Sequence, residues 1–117
     1  MPTSPALRLW APVVLWAAVI FAFSSIPSLD SSLGTWDLVL RKLAHVAEYA
    51  VLGALLVRAA GLVWLAFALG VAYAASDELH QHFVTGRRGT PLDLLIDSVG
   101  VALGIVAWRR LSQRGSR

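Results

Sequence analysis

Residues 9–23 read LWAPVVLWAAVIFAF, fifteen positions without one charge. With Leu7 and Arg8 the run approaches the ~17–25 residues that an apolar helix needs to span a bilayer. Pro12 lies in its first turns, where a missing N–H costs least. A cleaved signal peptide is the alternative, with Arg8 as its charged start. No small-x-small cleavage site follows convincingly, and no secreted soluble domain comes after.

Three further apolar runs follow. Residues 24–36, SSIPSLDSSLGTW, gather Ser, Pro, Gly and Asp and read as a loop. The second helix is expected at about 37–58, with LAHVAEYAVLGALLV at its core. A minimal turn at 58–61 leads into a third helix at about 62–81. A link with a Gly-Arg-Arg-Gly core precedes the fourth, at about 91–109, which opens on Pro91, a favoured first-turn residue. The tail from Arg109 to Arg117 is basic and expected to fray. The chain has 117 residues, 57% hydrophobic and 15% charged, against ~45–50% and ~25% in soluble domains. These features predict an all-α fold, a single domain over 1–117, built as an integral membrane four-helix bundle. Nucleic acid is excluded as a partner, because the basic residues are few and dispersed. There are no cysteines, which rules out disulfides and thiolate chemistry.

Four spans place both termini on one side. Arg8, Arg58, Arg109, Arg110, Arg114 and Arg117 then share a face without acids. Arg41, Lys42, Arg87 and Arg88 lie on the other with all seven acids and three histidines. Lys and Arg in excess mark the cytoplasmic side. Trp10, Trp64 and Trp108 fall at the same boundary, as interfacial belts do. The chain is therefore expected in the cytoplasmic (inner) membrane, multi-pass, with cytoplasmic termini and its polar cluster opening outward.

That cluster is the functional signal. Ionisable groups beside hydrocarbon are costly, so they have partners and often a task. Residues three and four apart share a helix face, so Lys42, His45 and Tyr49 stack on one side of the second helix, near Arg41, Glu48 and Leu52. On the third helix Asp77 pairs with Gln81 and Glu78 with His82, at i and i+4, with Tyr73 one turn below Asp77. Two acids at a helix C-terminus oppose the macrodipole and call for cationic neighbours, for which Lys42, Arg87, a substrate or a metal are the candidates. His80 falls off that stripe and reads as a surface imidazole. On the fourth helix Asp93, Asp97, Gly100 and Gly104 form one stripe, whose glycines make a small-xxx-small packing seam. Asp93 can stabilise the dipole at a helix start. Asp97, a turn deeper, is either protonated or paired with Arg41, Lys42 or His45. Metal-ligand types are present in His45, His82, Asp77, Glu78, Asp93 and Asp97, but the spacing matches no metal signature such as HExxH, and no cofactor is expected.

Taken together, Ser24-Ser25-x-Pro27, Lys42-x-x-His45-x-x-x-Tyr49-x-x-Leu52 and Asp77-Glu78-x-x-Gln81-x-Phe83-x-x-Gly86-Arg87, followed by Asp93, Gly100 and Gly104, resemble the VanZ-like family of small membrane proteins from Ser24 to Gly104. The family usually has Asp where this chain has Arg41 and Asn where it has Asp97. The resemblance implies an integral membrane protein of the bacterial cell envelope. The family's namesake is associated with resistance to the glycopeptide teicoplanin. Lys42, His45, Tyr49, Asp77, Glu78, Gln81, Arg87 and Asp93 carry over as the family's site positions.

The expected function is binding or modification of an amphiphilic envelope molecule, a membrane lipid or lipid-linked precursor. Arg87 and Lys42 would hold its anionic head group, and Arg87 can grip phosphate bidentately. Asp77, Glu78 and His45 would orient it, or serve as acid and base if chemistry occurs. Tyr49, Gln81, Asp93 and Asp97 complete the binding set. The alternatives are a membrane hydrolase or transferase using Asp77, Glu78 and His45, and a non-catalytic structural or regulatory subunit whose charges only lock the bundle. A homo-oligomer is compatible with each. A transporter fits less well, because four spans are few and the acids lie at one boundary instead of the midplane.

Overall fold

The computed structural model describes residues 5–24, 35–81, 83 and 91–115. Among these residues all regular structure is helical: α1 (Pro5–Ser24), α2 (Thr35–Ala60), α3 (Val63–Gln81) and α4 (Pro91–Gly115). The four helices match the four expected in number and order, and their ends differ by up to a few residues. α4 does not stop at Arg109 but continues to Gly115, because Arg, Leu and Gln are good helix formers and no breaker intervenes before that glycine. α1 begins at Pro5, so Pro12 stands two turns inside the helix, past the end where a missing N–H costs nothing. Its missing N–H falls to the carbonyl of Arg8, four residues back.

The α2–α3 turn is two residues long, Gly61 and Leu62. Gly61 adopts φ 76°, the left-handed conformation in which helices commonly end, and its N–H donates to the Val57 carbonyl over 2.9 Å. So tight a turn makes α3 run back along α2.

α2 and α4 run parallel and form the closest pair. Their approach follows from glycine. A Cβ on Gly104 would stand 1.7 Å from the Ala50 carbonyl oxygen, one on Gly100 2.8 Å from that of Val46, and one on Gly53 2.3 Å from that of Val101. The backbones touch where side chains would otherwise separate them, which is the packing expected of a small-xxx-small seam. Val101, fully buried, also fills the space at Gly70 of α3. Around this centre lie Ile20, Tyr49, Leu52, Leu56, Ala66, Ala74 and Ile105.

Much of the outside of the bundle is apolar. Leu15 and Trp64 are each 68% exposed, and Phe21, Leu43, Val51, Phe67, Leu95, Leu103 and Leu111 also face outward. Two helical segments among the described residues, Pro5–Phe23 and Val39–Ala60, are long and apolar enough to cross a membrane by length and composition.

Candidate functional site

One face of α2 carries Lys42, His45 and Tyr49, spaced by one turn each, and each meets an acid of a neighbouring helix. Lys42 Nζ donates to Asp93 Oδ1 over 2.9 Å. His45 Nδ1 lies 3.2 Å from Asp97 Oδ1. Tyr49 donates its hydroxyl to Asp77 Oδ2 over 3.0 Å. The first two pairs are in register because α2 and α4 are parallel: the turn from Lys42 to His45 is matched by the turn from Asp93 to Asp97. The third pair reaches the antiparallel α3, whose C-terminal end lies beside the first half of α2.

This ladder descends from half-exposed to sealed. The Lys42 and Asp93 side chains are 36% and 27% exposed. Those of His45 and Asp97 are 21% and 5% exposed. Tyr49 is fully buried and Asp77 is buried with it, its other oxygen, Oδ1, enclosed as well. The Tyr49 ring is flanked by those of His45, 6.3 Å away and nearly parallel, and Tyr73, 6.2 Å away and tilted. A carboxylate removed from water is strongly disfavoured unless a donor replaces the lost hydration, and α2 supplies one at each level.

The three levels carry three carboxylates against one lysine and one imidazole. Such a set favours a proton, an amine or a hydroxyl donor at its deep end more than an anion. Lys42, one of the cations expected beside Asp77, is held by Asp93, and the hydroxyl of Tyr49 donates to Asp77; Arg87, the other, lies outside the described residues. Asp97 finds His45 among its three candidate partners. With the Asp97 carboxylate accepting from Nδ1–H, the ring's Nε2 is the nitrogen available to a ligand.

Six of the nine site residues expected from the sequence thus come together: Lys42, His45, Tyr49, Asp77, Asp93 and Asp97. Glu78 follows Asp77 in α3 and is half-buried, but it joins none of the three pairs. Arg87, His82 and the side chain of Gln81 lie outside the described residues. Among the described residues no group of three or more His, Asp or Glu is placed to hold a metal ion.

Other contacts lie outside the pattern that the sequence predicts. The hydroxyl of Tyr73, whose ring flanks Tyr49, donates to the Ala17 carbonyl of α1. Trp16 Nε1 donates to the Glu48 carbonyl over 2.8 Å. These two bonds tie α1 to α3 and α2 beside the ladder. His80 is not a loose surface imidazole but stacks on Phe21 of α1, with centroids 4.2 Å apart. A signal existed for Trp16: an indole N–H in the middle of an apolar run needs an acceptor, and another helix is the usual source.

A family model described as VanZ/LLP1 matches residues 9–112. No curated protein matches the chain, and no solved structure does.

Proposed function

The chain belongs to the VanZ/LLP1 family, and from that premise we propose that it is a membrane-embedded four-helix bundle of the bacterial cell envelope whose polar ladder binds the head group of an amphiphilic envelope molecule. The observation that carries this reading is the inverted distribution of polarity. Asp77 and Asp97 are each 3% exposed, while Leu15, Trp64 and Leu95 look outward. Lipid is the solvent in which that arrangement is stable, since intramembrane ionisable groups face the bundle interior and the apolar surface faces hydrocarbon. The two span-like windows are only 11% and 28% buried inside the protein; the core helix of a soluble domain would be mostly covered.

In this reading all four helices span the membrane, both termini are cytoplasmic, and the ladder opens at the outer rim. The ligand carries a phosphate together with hydroxyl or amine donors. Arg87, joined by Lys42 when it exchanges Asp93 for the ligand, meets the phosphate, and the acid-rich deeper levels accept from the donors. Teicoplanin susceptibility is the natural envelope phenotype to examine.

Two observations favour other readings of the same residues. The pairing of Asp77, Asp93 and Asp97 with α2 suits a structural subunit whose ladder locks the helices. The contact of His45 Nδ1 with Asp97 suits an acid–base role for Nε2 in a hydrolase or transferase. One experiment separates all three. Asp77→Ala, Glu78→Ala and Arg87→Ala are expressed in a glycopeptide-responsive host, their folding is confirmed, and susceptibility is measured beside hydrolysis of polyprenyl phosphates by the purified protein. Folded variants with lost phenotype and no hydrolysis support binding. Turnover abolished in the variants supports an enzyme, unfolding of the variants supports the structural role, and three variants that behave like wild type remove the site.

A further inference from the structure

The end of the bundle opposite the ladder holds a cleft of its own. The last two turns of α4 place Trp108, Arg109, Ser112 and Gln113 around a cleft of about 300 Å³, with Val57 of α2 as its apolar wall. The pairs Trp108–Ser112 and Arg109–Gln113 are one turn apart, so an indole, a guanidinium, a hydroxyl and an amide line neighbouring strips of one helix. Trp108 is half-buried and packs on the core, Val57 is buried, and Arg109 is exposed. The cleft is shallow and largely open; at the small end of ligand sites, which run ~300–1,000 Å³, it suits a head group better than a whole lipid. Charge is one-sided here. No acid occurs in the sequence between Tyr49 and Ser76 or after Asp97, whereas Arg58, Arg109 and Arg110 gather at this end.

We propose that this cleft is a binding site for a phosphate-bearing anion, with the head group of an anionic phospholipid as its expected source. The Arg109 guanidinium grips the phosphate with two parallel N–H donors, as planar recognition of phosphate favours. Ser112 and Gln113 donate to the remaining oxygens. The Trp108 indole and Val57 cover the glycerol end of the lipid, the position that amphipathic rings take at a membrane boundary. Among the described residues at this end, no Asp or Glu side chain competes for Arg109. The proposal rests on the membrane embedding inferred above but not on the ladder or its ligand.

The test uses the full chain, delipidated in detergent, where the diffuse attraction of basic residues to a charged bilayer surface is absent. Phosphatidylglycerol, phosphatidylcholine and inorganic phosphate are titrated separately, and adducts are counted by native mass spectrometry. Wild type is expected to retain phosphatidylglycerol over phosphatidylcholine. Arg109→Gln should weaken retention about tenfold or more, as loss of a charge-assisted hydrogen bond does. Ser112→Ala should weaken it severalfold, and Arg110→Gln should leave it within about twofold of wild type, since Arg110 does not line the cleft. Arg109-dependent binding of inorganic phosphate at comparable affinity would assign the site to free phosphate; weak binding of it assigns the site to the lipid. Equal effects of Arg109→Gln and Arg110→Gln, with Ser112→Ala unchanged, overturn the proposal. Ser112→Ala carries the test if Arg109→Gln does not fold. Wild-type chain recovered in the soluble fraction would instead sink the embedding.

Discussion

The Tyr49 hydroxyl donates to Asp77 Oδ2 over 3.0 Å between two buried side chains on different helices. This bond is the floor of the ladder: above it lie levels reached progressively by solvent, and below it the core is hydrocarbon. Removing the hydroxyl leaves a buried carboxylate short of a donor. Tyr49→Phe should therefore lower stability by about 1–3 kcal/mol, the cost of orphaning a buried polar group. Reversible unfolding in mixed micelles measures this. A neutral Tyr49→Phe would mean that Asp77 is satisfied without the phenol.

His45 and Asp97 should be coupled. They touch, and Asp97 is 5% exposed at its side chain, so neither can be removed without stranding the other. A cycle of His45→Ala, Asp97→Ala and the double variant should give a coupling energy of about 0.5–3 kcal/mol, as residues in direct contact do. Additive losses would show that the pair is only a neighbourhood.

Lys42 and Asp93 should behave differently, because their contact is half-exposed. An exposed ion pair contributes about 0–1 kcal/mol. Lys42→Ala should thus leave the unfolding midpoint nearly unchanged while altering the envelope phenotype if Lys42 meets a head group. A large loss of stability would assign Lys42 to the scaffold.

Much of this arrangement was legible before any coordinates. Spacing alone set Lys42, His45 and Tyr49 on one face, and the i, i+4 series through Asp93, Asp97, Gly100 and Gly104 marked the stripe that meets it, since both follow from the 3.6-residue helical period. What the period does not contain is which helix lies opposite. Asp97 had three candidate partners, and only the parallel register of α2 and α4 selects His45. The helical period calls for a partner at Asp77 but does not name Tyr49, whose phenol reaches it from α2. The indole N–H of Trp16 signals the need for an acceptor, but which carbonyl answers it, as for the Tyr73 hydroxyl, is not written in the sequence, because a carbonyl belongs to every residue. α1 carries no charged residue after Arg8, so its docking against α2 and α3 had no pattern to follow.

The glycine seam should be intolerant of any side chain. A Cβ at Gly104 would meet the Ala50 carbonyl oxygen at 1.7 Å, and a backbone atom cannot rotate aside. Gly104→Ala should cost about 1–3 kcal/mol by overpacking and push α2 from α4, loosening both ladder levels on that pair. Gly61→Ala meets open space but keeps φ 76°, so its cost should be confined to about 1–2 kcal/mol of left-handed strain. Unfolding measurements that ranked Gly61→Ala above Gly104→Ala would contradict the close α2–α4 approach.

The chain's lack of cysteine makes single-cysteine labelling the most direct measurement of the central claim, that a bilayer-embedded bundle presents its ladder at the outer rim. Phe83, 83% exposed just beyond α3 at the ladder end, and Leu111, 62% exposed on the last turns of α4, report the two ends. Phe83→Cys in the membrane fraction should react with a membrane-impermeant maleimide in intact spheroplasts, and Leu111→Cys only after permeabilisation. The reverse pattern, with Leu111→Cys labelled from outside and Phe83→Cys protected until the membrane is opened, would contradict it.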